Sequence, residues 1–368
     1  MDMVRPDYEG ASVAGLVPAL LGSADASWLP ACVEGASAVV LLVLDGLGWD
    51  AVREHAADLP VIAGLEGGPI TTVAPSTTSA ALPSITTGAP PAEHGLVGYR
   101  MRLAKGILDV LKWELEDGRK GPQPSTVAPV EAFCGRSVPV VTREDFLGGG
   151  FTDAFMRGSR FYGWRMPSSI AVTVGRLVRA GERFVFAYYN GVDFVAHKYG
   201  LRDQFFPSEL ACTDHLVGAL IEALPAEAAL VVTSDHGQVH LGEQLPLDPV
   251  ASLVEACAGE ARFRSLHAPP GAARDLLEAS REAFGDRAWV LSREQLVDEG
   301  WLGPKAPGTE VLGRLGDVTL AARDPIGFAD PAHQGEWTMR SGHGSLTPAE
   351  MLVPLVAARG SGQRRFPT

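Results

Sequence analysis

Positive charge is in short supply in this sequence: 31 Lys and Arg stand against 44 Asp and Glu, a formal net charge of −13. That balance disfavours a nucleic-acid polymer as partner, because such binding draws on basic patches. Cysteine is scarcer still. Cys32, Cys134, Cys212 and Cys257 lie far apart with no CxxC pair, which argues against a Cys-rich zinc module and offers no disulfide framework. No apolar run approaches the length of a membrane span. The apolar stretch 11–21 is broken by Gly15 and Pro18 and lacks a basic leader. Internal repeats and low-complexity tracts are missing too. The expectation is a cytoplasmic protein with idle thiols and no membrane partner. An acidic protein can still act on a small phosphorylated molecule if bound cations reverse the local field.

What the sequence does have is a set of apolar runs that end in acids. A chain of 368 residues suffices for one large α/β domain with an insertion. Ala38-Val39-Val40-Leu41-Leu42-Val43-Leu44 has no polar alternation, as expected of a strand buried on both faces of a parallel sheet, and it stops at Asp45-Gly46. Phe184-Val185-Phe186-Ala187-Tyr188-Tyr189 has the same character and leads to Asp193 and His197; Ala229-Leu230-Val231-Val232-Thr233 leads to Ser234-Asp235-His236-Gly237. Helices are expected over 50–63, 168–180, 207–224 and 276–284. Strands are expected at 107–113, 137–141, 287–292 and 318–323, and 303–313 reads as a loop. The apolar run 351–357 follows a helix start at Thr347. The stretch 97–166, rich in Gly, Arg and aromatics with poor periodicity, reads as a cap inserted over the strand ends, and 258–330 as a smaller βαβ-like subdomain. Arg100, Arg102, Arg160 and Arg165 could meet an anion there, although for any one of them a solvated surface position is the simpler account.

Between the first strand and the cap lies Pro75-Ser76-Thr77-Thr78-Ser79, a hydroxyl-rich turn before a small-residue helix that ends near Gly88. Ordinary N-capping by Ser76, Thr77 or Thr78 would explain such a cluster. A hydroxyl at a helix's positive end, beside amides that favour an anion, would be the chemical alternative. Each of the other polar residues has an equally plain explanation. Asp45 suits an Asp-Gly turn, Asp193 and His197 an i,i+4 helical pair, Asp235-His236-Gly237 a turn, and His343 a loop hydrogen bond. Together, Asp45, Thr78, Asp193, His197, Asp235, His236 and His343 supply the ligand types of a hydrolytic zinc site. Two cations about 4 Å apart could stabilise both the attacking and the leaving oxygen of an in-line displacement at phosphorus.

The order strand–Asp-Gly, Pro-Ser-Thr-Thr, Asp-x-x-x-His, Ser-Asp-His-Gly, Gly-His-Gly-Ser resembles the alkaline phosphatase superfamily, and within it the nucleotide pyrophosphatase and type I phosphodiesterase branch. The resemblance runs from about Val39 to Val356 and is poor over the cap and over 258–330. It implies a three-layer α/β/α sandwich with a mostly parallel central sheet and a small inserted cap, the whole chain forming one catalytic domain. It implies two divalent metal ions, zinc favoured by the His/Asp ligation and manganese the alternative. Asp193, His197 and His343 would hold one; Asp45, Thr78, Asp235 and His236 would hold the other. Thr78, at the fourth place of the Pro-Ser-x-Thr turn, would be the nucleophile, cleaving a phosphodiester or pyrophosphate bond of a nucleotide-like or other small phosphorylated substrate through a phospho-threonine. Homo-oligomerisation is left open.

One position departs from the pattern. Phosphodiesterases of this type usually carry an Asn three residues after the nucleophile, and here that residue is Ala81. A cap arginine, the Ser79 amide or Tyr99 would have to replace its contact with a phosphoryl oxygen. Phosphomonoesterase or phosphonate hydrolase is therefore the runner-up. A sulfatase would need a Cys/Ser-x-Pro-x-Arg turn, and a cofactor-independent phosphoglycerate mutase a long ligand-bearing insertion; neither is present. A catalytically silent binding protein is the remaining alternative, although all seven positions keep competent ligand chemistry.

Overall fold

The computed structural model describes residues 2–330 and 338–362. Its centre is a seven-stranded sheet of β1 (Ala38–Leu44), β2 (Glu66–Thr71), β3 (Pro139–Arg143), β4 (Arg160–Trp164), β5 (Phe184–Tyr189), β6 (Ala228–Thr233) and β7 (Leu352–Arg359), in the spatial order β2-β7-β6-β1-β5-β3-β4. Every neighbouring pair is parallel except those made by β7, which runs antiparallel to both β6 and β2.

The unbroken apolar run of β1 has a simple cause. Side chains alternate across a strand, and here both faces are covered. Val39, Leu41 and Val43 join one apolar layer; Ala38, Val40, Leu42 and Leu44 join the other. The first layer takes its helical cover from α1 (Val13–Leu20) and α2 (Thr78–Thr87), the second from α3 (Ser168–Arg179) and α5 (Phe205–Ala223). Between β5 and α5 runs α4 (Gly191–Tyr199). The result is a three-layer α/β/α sandwich. Burying a single Leu or Val of β1 contributes roughly 1.5–3 kcal/mol, so the strand that carries Asp45 is fixed by the core itself.

The stretch expected as a cap divides in two. Residues 139–143 and 160–164 are strands β3 and β4 of the central sheet. What stands apart is a three-stranded antiparallel sheet of Arg100–Leu103, Gly106–Asp109 and Glu114–Leu115. The strand expected at 137–141 is β3, displaced to 139–143, whereas β4 escaped notice because it is the sheet's edge, with two of its five residues exposed. The expected helix over 50–63 is likewise two short ones, Trp49–Glu54 and Pro60–Ala63; Pro60 disfavours a helical Leu59 and restarts the helix at its own N1 position. The loop expected over 303–313 contains a helical turn, Thr309–Leu312.

The region 258–330 belongs to a four-stranded antiparallel sheet with Ala256–Glu260, Phe263–His267, Val318–Ala322 and Ala288–Ser292 in that order. Helix α6 (Ala273–Phe284) connects Phe263–His267 to Ala288–Ser292, and these two run parallel with Val318–Ala322 between them, a split βαβ unit. Among the described residues no helix is long and apolar enough to cross a membrane.

Candidate active site

Strands β5, β1 and β6 are adjacent and in register, with Val43 opposite both Tyr188 and Thr233. Their carboxyl ends are therefore level, and the residues that follow them share one crevice, where open α/β sheets place ligands. Asp45 follows β1, Asp193 lies in the first turn of α4 after β5, and Asp235 and His236 follow β6. The Asp193 amide donates to the Asp45 carbonyl at 3.1 Å, and the Gly46 amide to Asp235 Oδ1 at 3.2 Å.

Thr78 opens α2, so its side chain sits at the helix's positive end, where the Ala80 and Ala81 amides already donate to the Thr77 carbonyl. Its Oγ1 is 3.0 Å from His236 Nε2 and 3.5 Å from Asp45 Oδ1. His343 arrives from far along the chain because the loops are stitched together. The Ser76 amide donates to the Gly344 carbonyl at 3.1 Å and the Ser76 hydroxyl to the Ser345 carbonyl at 2.6 Å. Val239–His240 pairs antiparallel with Ser341–Gly342. All seven residues singled out in the sequence thus converge. Asp193, His197 and His343 bring donor atoms within 4.8 Å of one another, as do Asp45, Asp193 and His236. Asp235 Oδ2 lies 3.6 Å from His236 Nε2. The His236 and His343 rings stack with centroids 3.6 Å apart, which joins the two groups.

The three histidines share one device. His197 Nδ1 donates to the Ser341 carbonyl at 2.9 Å, His236 Nδ1 to the Gly237 carbonyl at 3.0 Å, and His343 Nδ1 to the Ser76 carbonyl at 3.1 Å. A carbonyl can only accept, so each Nδ1 carries the proton and each Nε2 presents a lone pair to the crevice. Metal-binding histidines are held in this way.

The carboxylates are crowded. Burial holds Asp45 well above the usual carboxylate range, and the Asp235 and Asp193 charges push it further. Burial also opposes ionisation of Asp193, but the surrounding His197, His343 and His236 hold it below that range. His197, disfavoured as a cation by burial, is raised above an ordinary imidazole by Asp193 at 3.2 Å. His343 is pushed well below by burial and by His236 and His197. Asp235 Oδ2 is fully buried and accepts no hydrogen bond among the described residues. Orphaned buried acceptors, crowded acids and outward Nε2 lone pairs make a donor set short of positive charge, and divalent cations fit it.

Two cavities meet at Thr78. One of 170 Å³ is lined by Thr78, Tyr99, Leu111, His197, Met339 and His343 among others; one of 250 Å³ is lined by Thr78, Leu82, Leu111, Phe146, Phe155 and Asn190 among others. Among the described residues neither is lined by a Lys or Arg. The arginines considered for an anionic substrate are taken up elsewhere: buried Arg100 by Asp330 and Glu116, Arg102 by Glu255, Arg160 by Glu182 and Arg165 by Glu144. Ala81 is fully buried in the core layer and lines neither cavity.

Supporting residues escaped the sequence reading. The Tyr188 hydroxyl donates to Asp45 Oδ2, and burial together with the Asp45 charge keeps that hydroxyl protonated. Gln238 donates to Asp193 Oδ1 and accepts from the Ser341 hydroxyl at 2.7 Å. Only Gln238, next to the Asp-His-Gly turn, offered a signal. Glu350 is fully buried and accepts from the Ser345 amide at 2.9 Å and the Thr347 hydroxyl at 2.6 Å; it also pairs with Arg262 through bonds of 2.7 and 2.8 Å.

Gly46 is required twice over. Its φ is +76°, and a Cβ there would sit 2.9 Å from Asp193 Cβ and 2.9 Å from Gln238 Nε2. Gly46→Ala should cost roughly 2–5 kcal/mol from the left-handed backbone and the overpacking together. Urea denaturation checks this, and a loss under about 0.5 kcal/mol, the level of a neutral surface change, would contradict it.

Residues 39–345 match the family model of type I phosphodiesterase / nucleotide pyrophosphatase. No curated protein matches the sequence. Among solved structures, murine ectonucleotide pyrophosphatase/phosphodiesterase 5 superposes with a TM-score of 0.66 at 15% identity, over 87% of each chain. Phosphonoacetate hydrolase from Sinorhizobium meliloti 1021, in complex with phosphonoacetate, gives a TM-score of 0.64 at 18% identity over 88% of this chain and 91% of that one. At these identities the likeness bears on the fold.

Proposed function

The chain belongs to the type I phosphodiesterase / nucleotide pyrophosphatase family of phosphoester hydrolases, and from that premise we propose that it cleaves phosphodiester or pyrophosphate bonds of a nucleotide-like substrate with Thr78 as nucleophile. The observation that carries the reading is the position of the Thr78 hydroxyl, at a helix N-terminus and 3.0 Å from an Nε2 whose ring is locked by the Gly237 carbonyl. Asp193, His197 and His343 would hold one divalent cation and Asp45, Thr78, Asp235 and His236 a second, zinc before manganese on ligand chemistry. Bound there, such cations supply the positive charge for the phosphoryl oxygens and lower the pKa of the attacking groups.

The Thr78 oxygen attacks phosphorus in line, the P–O bond to the leaving group breaks, and the departing oxygen takes a proton. Water then attacks the phospho-threonine, and Thr78 recovers its hydroxyl proton as the product phosphate leaves. The Thr78 and Ser79 amides at the start of α2 would serve as donors to the phosphoryl oxygens. Tyr188 and Gln238 hold Asp45 and Asp193 in place.

Two cavities on either side of Thr78 favour a phosphorus bearing two substituents. The apolar lining of the larger one, with Leu82, Phe146, Phe151 and Phe155, suits a nucleobase. In support, the murine neighbour, inactivated by a threonine-to-alanine substitution, is known in complex with AMP. Phosphonoacetate would place a carboxylate in cavities that no Lys or Arg lines.

The test is a substrate panel on chelated and metal-reconstituted enzyme. Bis-p-nitrophenyl phosphate and nucleotide pyrophosphates should outpace p-nitrophenyl phosphate and phosphonoacetate by about tenfold or more in kcat/KM. Chelation should remove the activity, and zinc or manganese should restore it. Asp235→Asn should lower metal affinity by at least about tenfold, read by elemental analysis after dialysis. Faster monoester turnover, or full activity in the chelated enzyme, would sink the reading.

A further inference from the structure

Away from Thr78, a cavity of 680 Å³ opens between the three-stranded sheet and the helical turn Thr309–Leu312. It shares no lining residue with the two cavities at Thr78. Its charged lining is Arg102, Lys105, Arg119, Lys120 and Arg314 against one acid, Glu310. In a chain of net charge −13, that segregation of sign makes a local field opposite to the protein's own.

Arg314 is the built part of this site. Its side chain is only 7% exposed. Nη1 donates to the Gly95 carbonyl at 2.6 Å and the Val127 carbonyl at 2.9 Å, which fixes the plane of the guanidinium. Among the described residues Nη2 has no carboxylate nearer than Glu310 at 4.0 Å, and Glu310 is 87% exposed. Burial lowers the Arg314 pKa, with only Glu310 opposing it. A guanidinium this enclosed is costly unless an anion meets its free edge, and carboxylate or phosphate oxygens match that edge bidentately. At the rim, Arg102 and Arg119 are engaged by Glu255 and Asp117. Lys105 and Lys120 are exposed and form no ion pair among the described residues. Leu103, Leu115, Pro122 and Val127 supply apolar wall beside the charges.

We propose that this cavity binds a phosphorylated organic anion of nucleotide size, its phosphate held by Arg314, Lys105 and Lys120 and its body against the apolar wall. The proposal does not depend on the chemistry assigned to Thr78. Calorimetric titration of metal-loaded protein with the hydrolysis-resistant adenosine 5′-(α,β-methylene)diphosphate tests it, alongside inorganic phosphate as the bare anion. Two binding events are expected for the nucleotide analogue. Lys105→Glu/Lys120→Glu, on the exposed rim, should weaken one of them at least about tenfold and leave bis-p-nitrophenyl phosphate turnover unchanged. Arg314→Lys should weaken the same event. Inorganic phosphate should bind there more weakly than the analogue. No binding of the analogue, or binding in which no event is weakened by the double lysine variant, would overturn the site. Equal affinity for phosphate and analogue would overturn the organic ligand. If the site holds while the substrate panel fails, only the catalytic reading falls.

Discussion

Thr78→Ala should lower hydrolysis of bis-p-nitrophenyl phosphate by about 10⁴–10⁶-fold, the scale of removing a covalent nucleophile, while metal content stays at the wild-type level. Cβ and the helix start remain, while the hydroxyl and the γ-methyl are both lost. Thr78→Ser should keep part of the activity. Thr77, its buried neighbour, makes no side-chain capping bond to α2, and Thr77→Ala should be tolerated far better. Rapid quench with a fast-leaving diester, which makes hydrolysis of the intermediate the slow step, should trap phosphorus on the wild-type enzyme and none on Thr78→Ala. Undiminished turnover by Thr78→Ala would remove the proposed nucleophile. Loss of metal in that variant would assign the lost activity to metal ligation by Thr78 rather than to a nucleophile.

The second large effect concerns stability. Glu350→Ala should cost about 3–5 kcal/mol, because it strands the Arg262 guanidinium without a counter-charge in a site where both side chains are 0% exposed. Two further donors, the Ser345 amide and the Thr347 hydroxyl, lose their acceptor as well. Glu350→Gln keeps an acceptor oxygen and should fall between wild type and Glu350→Ala. Urea midpoints at constant m-value report the difference. Since Ser345 lies two residues from His343, Glu350→Ala should also reduce metal affinity. A loss under about 1 kcal/mol, typical of an exposed pair, would show that the ion pair is not what fixes this loop.

The parts of the site legible in the sequence are those where a long apolar run stops at a chemical group. Asp45, Asp193, Asp235 and His236 follow β1, β5 and β6, and a doubly buried strand has no other reading for seven consecutive apolar residues. His343 and Thr78 were legible only through their place in an ordered set of motifs. What stayed hidden depends on tertiary neighbours. Tyr188 reads as one more strand aromatic until its register beside Val43 brings its hydroxyl to Asp45. Arg100 reads as a candidate anion ligand until Asp330, 230 residues away, appears beside it. Ala81 reads as a missing contact, and only the helix orientation shows that it faces the core. Strand β4, at the outer edge, carries too few buried residues to stand out from the irregular text around it, whereas the mostly buried β3 was legible near 137–141.

The place of β7 in the sheet has a consequence for biosynthesis. It is translated long after β2 and β6, yet it belongs between them. Until residues 352–359 emerge, the open side of β6 offers unpaired amides and carbonyls to any extended segment nearby. The nascent polypeptide must therefore wait with a slot in its middle, a non-local closure that is slow and exposed to self-association. Arrested chains lacking that segment should be sticky, protease-sensitive clients of chaperones, whereas chains a few dozen residues longer should not.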